Sequence, residues 1–285
     1  MPCSTWYSQK TAPIILNFSR NPNVFLTLEG DWRYTPNIVS YNLPYGIKGN
    51  EELVRQILAQ TKSNMPERID GLVCKRCVVV GNGNTLRNSL LGEVINKYDI
   101  VIRLNNAPVR GYEQDVGNKT TLRFFYPESA IEDLSGENEP DILFVLVPFK
   151  TADLLWLKEL VYNKRGTRSG FWRSPPIIKK LDISKLRILN PFYFYQAMTE
   201  LLQKANVIKK TAPYATTGLL AVTVALNYCD EVHLAGFGYP LNQKTGLIHY
   251  FDNLNMNLMS CYLLFPSSSP SFEPLAPSLV DVKYI

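Results

Sequence analysis

The sequence predicts an α/β fold built on a largely parallel sheet, and three observations carry that prediction. From Cys77 onward, short apolar runs alternate with amphipathic stretches of helical length, the order that βαβ crossovers produce. The chain has 285 residues, of which 46% are hydrophobic and 19% charged, the composition of an ordinary globular protein. That length suits one large unit with a short appendage rather than two average domains.

The elements follow in chain order. Residues 1–70 are rich in Pro and Asn and read as a wrapping N-terminal segment. Within them Asn50–Thr61 is the exception, because Asn50 can cap a helix that carries Leu53, Val54, Ile57 and Leu58 on one face. Strands are expected at Cys77–Val80, Ile100–Leu104, Leu122–Tyr126, Ile142–Val147, Leu186–Leu189 and Glu231–Ala235, with helices between them at Leu86–Lys97, Thr151–Tyr162, Phe192–Lys204 and Thr217–Tyr228. This main unit spans 71–260. Residues 261–285 read as a Pro/Ser-rich tail, since Pro266, Pro270, Pro274 and Pro277 suit neither a helix nor a central strand.

Composition excludes several classes. No apolar stretch approaches the roughly 18 to 20 residues of a membrane span, and the start, Met1 to Trp6, lacks the basic and apolar regions of a secretory signal. Yet Asn17-Phe18-Ser19 and Asn118-Lys119-Thr120 are glycosylation sequons, and five cysteines also suggest an oxidising compartment. A form whose anchor is missing reconciles the two. The net charge of +5 favours anionic ligands, but the basic residues are scattered without a basic-aromatic ladder, so no nucleic-acid partner is expected.

Val78-Val79-Val80-Gly81-Asn82-Gly83-Asn84-Thr85-Leu86 is the first informative site. A strand running through a glycine turn into a helix presents backbone N–H groups to a phosphate. The full dinucleotide fingerprint needs a third glycine where Leu86 stands, and an acidic residue where the chain has Arg103-Leu104-Asn105. A tight ligand-free turn, and an NADP-dependent oxidoreductase using Arg103, stay open on these residues. Cys74-Lys75-Arg76-Cys77 could be a redox pair or half a zinc site, although only His233 and His249 could complete the latter and both are distant. His233 lies within an apparent strand and reads as a packed or surface residue.

Three blocks, in order, narrow the reading. The first comprises Cys74–Gly83, Ile102–Pro108 and Asp115–Thr121; the second runs from Thr216-Thr217-Gly218 through Cys229-Asp230-Glu231 to Ala235–Tyr239; the third is His249-Tyr250-Phe251-Asp252. They resemble the large, small and third motifs of the animal sialyltransferases, glycosyltransferase family 29. Tyr126–Ser129, Gly170–Trp172 and Ile188–Pro191 resemble the β-galactoside α-2,3-sialyltransferases, and Asn42–Gly46 with Arg87–Ser89 resemble their type 4 branch. The resemblance covers roughly residues 14 to 260.

It implies a GT-A-like variant of the α/β fold. It implies transfer of sialic acid from CMP-sialic acid to the 3-hydroxyl of terminal β-galactose on glycoproteins or glycolipids, without metal or cofactor, on the lumenal side of the Golgi membrane. It leaves room for a homo-oligomer. Such a donor, with its phosphodiester and carboxylate, calls for neutral amides and backbone N–H groups. By resemblance Asn82 and Asn105 bind the phosphate and ribose, Tyr126 and Ser129 lie along the donor, Tyr214, Thr216, Thr217 and Gly218 complete its site, and Gly238 lets the backbone approach the cytidine. His249 would face the leaving phosphate. The resemblance also pairs Cys77 with Cys229 and lets Cys74 pair with Cys3, leaving Cys261 over.

Three departures stand out. Asn84 replaces a small residue at the turn, and Tyr214-Ala215 stands where many relatives have a proline. A further His-x4-Glu motif is expected ten to twenty residues after the third block, its histidine acting as the base. No histidine follows His249. A catalytically inactive isoform that binds the nucleotide sugar or acceptor is therefore the alternative.

Overall fold

The structure, a computed structural model, describes residues 20–27, 38–137, 139–164, 166, 169–203, 215–238, 245–255 and 283–284. Runs of Val, Ile, Leu and Phe form its strands, because β-branched and aromatic side chains fit a pleated surface covered on both faces. In chain order they are β1 (Arg76–Val80), β2 (Ile100–Leu104), β3 (Leu122–Phe125), β4 (Leu143–Leu146), β5 (Leu186–Ile188), β6 (Glu231–Ala235) and β7 (Lys283–Tyr284). Among the described residues they form one sheet, ordered β5-β4-β3-β2-β1-β6-β7, with every neighbouring pair parallel.

Helices cover both faces. They are α1 (Glu51–Leu58), α2 (Glu67–Asp70), α3 (Gly92–Asn96), α4 (Glu113–Val116), α5 (Thr151–Val161), α6 (Phe192–Gln196) and α7 (Thr217–Tyr228). Cys77, Val79, Ile102, Phe124 and Val145 point to one face, where they pack with Tyr193, Phe194 and the apolar side of α7. Alternate residues point the other way. Phe144, Leu146 and Ile188 meet Val54, Ile57 and Leu157 of α1 and α5, while Val78, Val80 and Val101 meet Ile95, Val116 and Tyr250.

Six strands fall where the sequence places them, within a residue or two. Tyr126 leaves the ladder to begin a 3-10 turn at Pro127–Ser129, as expected where proline supplies no N–H. The stretch Leu86–Lys97 departs from expectation: only Gly92–Asn96 is α-helical, after a 3-10 turn at Asn84–Leu86. The cause is local. Asn88 and Leu90 adopt φ of 60° and 56°, a left-handed backbone that no α-helix accommodates. The Asp115 carboxylate holds it by accepting the N–H groups of both residues, at 2.9 and 3.0 Å. Similarly, α6 is continued by a π-helix over Ala197–Gln203, and Lys204 lies outside the described residues. Within the expected tail only 283–284 are described, and these form an edge strand, with His233 opposite Lys283 and Leu234 opposite Tyr284.

A disulfide joins Cys77 to Cys229, with Cα atoms 6.0 Å apart across a separation of 152 residues. It ties the start of β1 to the C-terminal end of α7. Nearby, Arg20 donates to the carbonyls of Asn227 and Cys229 at 3.0 and 2.6 Å, so part of the N-terminal segment wraps onto this end of the sheet.

Candidate functional site

The chain moves outward from β1 through β2, β3, β4 and β5, then returns to place β6 on the other side of β1. That reversal makes β1 and β6 the topological switch point of the sheet, beyond whose carboxyl ends open α/β sheets bind ligands. The loops that follow β1, β2, β3 and β6 all lie at this edge.

Gly81, Asn82 and Gly83 follow β1. The N–H of Gly81 donates to Ala235 C=O at 2.7 Å, that of Gly83 to Gly236 C=O at 2.8 Å and that of Asn84 to Ile248 C=O at 2.9 Å. These groups are therefore spent inside the protein. This corrects the expectation that the turn offers its N–H groups to a phosphate at a helix start, since a three-residue 3-10 turn follows instead of a helix. Gly83 is needed for close approach, because a Cβ there would lie 2.6 Å from the Gly236 carbonyl oxygen. What remains for a ligand is side-chain chemistry. Asn82 Oδ1 and Asn84 Oδ1 are buried and have no hydrogen-bond partner.

Asn105 stands two residues beyond Arg103, as Asn82 stands two beyond Val80, and Arg103 and Val80 are register partners. The two asparagines thus extend adjacent strands. Asn105 has φ 55°, a left-handed conformation that Asn tolerates better than most residues. Its side-chain oxygen lies 3.0 Å from Ser129 Oγ, leaving Nδ2 as the donor end. Ser129 is buried and also accepts the Tyr126 N–H at 3.0 Å. The Tyr126 ring packs edge-on against Phe149, with centroids 5.7 Å apart, and burial raises its phenol above the ordinary tyrosine range.

Beside Tyr126, Lys150 pairs with the buried carboxylates of Glu128 and Asp153, at 2.9 and 3.0 Å. Burial alone would lower the Lys150 pKa, but its bonds to these carboxylates outweigh that and raise it. Burial raises the Asp153 carboxyl despite its bond from the Phe149 N–H.

Arg103 does not fit a nucleotide-phosphate role. It is 2% exposed, and its guanidinium donates to the carbonyls of Val116, Gly117 and Lys119 at 2.6, 3.2 and 2.9 Å. Burial, and then the charge of Arg123, lower it to about 10, so it stays charged at neutral pH.

Thr216 caps α7, its Oγ1 accepting the Leu219 N–H at 3.2 Å, and Thr217 is buried. A Cβ on Gly218 would lie 3.2 Å from Phe237 and 3.6 Å from Leu104. The start of α7 is thereby set between the loops carrying Asn105 and Gly238. Gly238 has φ +100° and open space around it, a backbone that favours glycine. Tyr214 lies outside the described residues.

His249 arrives from far along the chain. It forms an antiparallel bridge with Gly83, and the Tyr250 N–H donates to Asn82 C=O at 3.1 Å. The imidazole stacks on Phe251 at 5.1 Å. Its Nδ1 lies 2.8 Å from Asp252 Oδ2, which leaves Nε2 as the ring nitrogen that Asp252 does not engage. Beneath it Tyr250 donates to Pro108 C=O at 2.6 Å, and burial pushes its phenol up to about 12.

The structure thus brings Asn82, Asn105, Tyr126, Ser129, Thr216, Thr217, Gly218, Gly238 and His249 to one edge of the sheet. Sequence reasoning gave no role to Asp252, although it closes the third block at i, i+3 from His249, or to Glu128, although it lies within Tyr126–Ser129; Arg123, Glu137 and Lys150 gave no signal. His233 lies apart on β6, its ring edge-on to Tyr98 at 5.3 Å. Asn118 is exposed before β3, at the opposite edge, and its N–H donates to Asn96 Oδ1 at 2.9 Å. Cys74 is also disulfide-bonded, but its partner, like Cys3, Cys261 and Asn17, lies outside the described residues. Among the described residues no group of three or more His, Cys, Asp or Glu converges as metal ligands, and no helix is long and apolar enough to cross a membrane.

Residues 28–263 match the sequence profile of glycosyltransferase family 29 (sialyltransferase). The chain is 50% identical over 257 residues to human CMP-N-acetylneuraminate-beta-galactosamide-alpha-2,3-sialyltransferase 4, a match covering 88% of this chain and 76% of the human protein. It is 42% identical over 259 residues to mouse CMP-N-acetylneuraminate-beta-1,4-galactoside alpha-2,3-sialyltransferase, covering 89% of this chain and 68% of that one. A crystal structure of a mammalian sialyltransferase in complex with Gal-beta-1-3GalNAc-ortho-nitrophenol superposes with a TM-score of 0.71 at 27% identity, covering 100% of this chain and 99% of the other.

Proposed function

The chain belongs to glycosyltransferase family 29, and from that premise we propose that it carries sialic acid from CMP-sialic acid to the 3-hydroxyl of terminal β-galactose on glycoprotein or glycolipid glycans. In this reaction the galactose oxygen attacks the anomeric carbon, the bond from that carbon to the CMP phosphate oxygen breaks, CMP leaves with the electron pair, and the hydroxyl proton passes to a base. The oxocarbenium-like transition state places growing negative charge on the phosphate. Donors aimed at that phosphate therefore accelerate the step.

The observation that carries this reading is the pair of asparagines past β1 and β2. Asn82 keeps a buried, unpartnered carboxamide oxygen, for which a ribose hydroxyl or cytosine amine is a fitting donor. Asn105, its oxygen engaged by Ser129, keeps an amide donor for phosphate or ribose. Tyr126 and Ser129 extend along the donor, and Gly238, with the Thr216-Thr217-Gly218 turn, frames the cytidine. His249, oriented by Asp252, places Nε2 toward the leaving phosphate. The donor site is built of amides, hydroxyls and one imidazole, and the reaction is assigned no metal.

The same reading places the chain on the lumenal side of the Golgi membrane, an oxidising compartment that suits the Cys77–Cys229 bridge. There Asn118 would be open to glycosylation.

Titration of CMP into the wild type and Asn82→Ala tests the site. Leaving the nucleotide's hydroxyl or amine without its buried partner costs about 1 to 3 kcal/mol, so the Kd should rise about fivefold to a hundredfold, with EDTA changing nothing. An unaltered Kd, or binding abolished by EDTA, overturns the assignment. A second reading, donor binding without transfer, is favoured by residues 262–272, which carry no His-x4-Glu at the expected ten to twenty residues after His249-Tyr250-Phe251-Asp252.

A further inference from the structure

We propose that Arg123, anchored by Glu137, is a positioning residue for Asn105 and acts through it on the nucleotide half of the donor. This rests on the reading of Asn105 as a donor ligand. Arg123 lies on β3 opposite Arg103 and is 1% exposed. Its Nη1 donates to the carbonyl of Asn105 at 2.9 Å and to that of Ala107 at 3.1 Å. Its Nη2 is ion-paired with Glu137, a side chain only 6% exposed. The donors of a guanidinium point in fixed directions within one plane, so a carboxylate holding one end aims the other. Here it is aimed at the main chain on both sides of Asn106.

That grip matters because Asn105 is left-handed, with φ 55°. A non-glycine residue keeps such a backbone only where its surroundings hold it. The carbonyl and the carboxamide hang on the same Cα, so a carbonyl released from Arg123 lets the backbone relax and swings the side chain away. Ser129 holds Asn105 Oδ1 from the other side at 3.0 Å. One stretch of chain, from Arg123 to Ser129, therefore fixes both the backbone and the side chain of the ligand residue.

Arg103 supplies an internal comparison. It is an equally buried arginine on the adjacent strand, but its bonds go to Val116, Gly117 and Lys119. A purely structural role for buried arginines would give the two positions the same behaviour.

The test is CMP titration with Asn105→Ala, Arg123→Lys, the double variant and Arg103→Lys, each with a thermal melt. Asn105→Ala should raise the Kd about tenfold or more. Arg123→Lys should raise it by a smaller factor, and the double variant should match Asn105→Ala alone, because a residue acting only through Asn105 has nothing left to act on. Arg103→Lys should lower the melting temperature yet leave the Kd within about twofold of wild type, as expected of a group without a bond to the ligand residue. Should Arg123→Lys fail to fold, Glu137→Asp, which draws the anchoring carboxylate back, should raise the Kd in the same direction and be equally non-additive. A wild-type Kd in Arg123→Lys, or a double-variant loss equal to the product of the single losses, overturns the positioning role. A wild-type Kd in Asn105→Ala overturns the ligand reading itself, and that variant alone identifies this failure.

Discussion

Removing the Cys77–Cys229 bridge should lower stability without altering the donor site. The bridge closes a loop of 152 residues, and in the chain-entropy model a loop of that size stabilises the folded state by about 5 kcal/mol. Unfolding a chain of 285 residues carries an entropy of roughly 0.6 kcal/mol per kelvin near its midpoint, so the loss corresponds to a fall of about 8 °C in Tm. Both cysteines are buried, and two alanines in their place add a small packing cost. The donor residues stand at the other end of the strands. From Cys77 to Asn82 is five residues, about 16 Å of extended chain. The assay is calorimetry of Cys77→Ala/Cys229→Ala beside wild type, with CMP titration of both at 25 °C. A fall in Tm below about 2 °C would mean that the unfolded chain gains little freedom when the bridge is removed, contrary to the entropic argument. A weakened Kd in a well-folded variant would refute the separation of the bridge from the site.

Two further outcomes are expected. Asp99 accepts the N–H and Nε–H of Arg76 at 3.2 and 2.9 Å; burial raises its pKa, but the Arg76 bonds prevail and hold it below the usual value. The pair therefore stabilises above the unfolded carboxyl pKa and loses that contribution as pH falls through the folded one. Both side chains are partly exposed, so Asp99→Asn should cost at most about 1 kcal/mol at pH 7, a gap that shrinks in urea melts as pH falls below the ordinary carboxyl value of 3.8 and through the lower folded one; a gap that widens in acid would contradict the sign. For transfer, a general base contributes about 10² to 10⁴-fold, so a chimera whose residues after Ser260 come from a relative with the His-x4-Glu motif should turn over CMP-sialic acid and Galβ1-4GlcNAc faster by that order. Equal turnover by two folded proteins would show that this histidine is not required.

What was legible in the sequence and what was not divides along sequence separation. Ile100–Leu104 and Glu231–Ala235 were readable to the residue because each is a short stretch rich in Ile, Val and Leu next to one of helical length, even with Arg103 in the first and His233 in the second, and Thr217–Tyr228 because its length and apolar spacing suit a helix. The helix expected over Leu86–Lys97 was misread because its breaks at Asn88 and Leu90 are held by Asp115, a carboxylate that local pattern does not connect with them. The site shows the same division. Asn82, Asn105 and His249 were singled out because each lies in a motif, but no pattern near Gly83 reveals that its neighbour Asn84 gives up its N–H to Ile248. Likewise Arg123 is, to a reader of sequence, a charge interrupting a strand, and only the fold shows both carbonyls and the carboxylate that make its burial tolerable. A buried charge in an apolar run thus marks where the sheet must reach a distant partner. On β3 that partner is Glu137, and the bond on its other side is the backbone of the residue on which donor binding is proposed to depend.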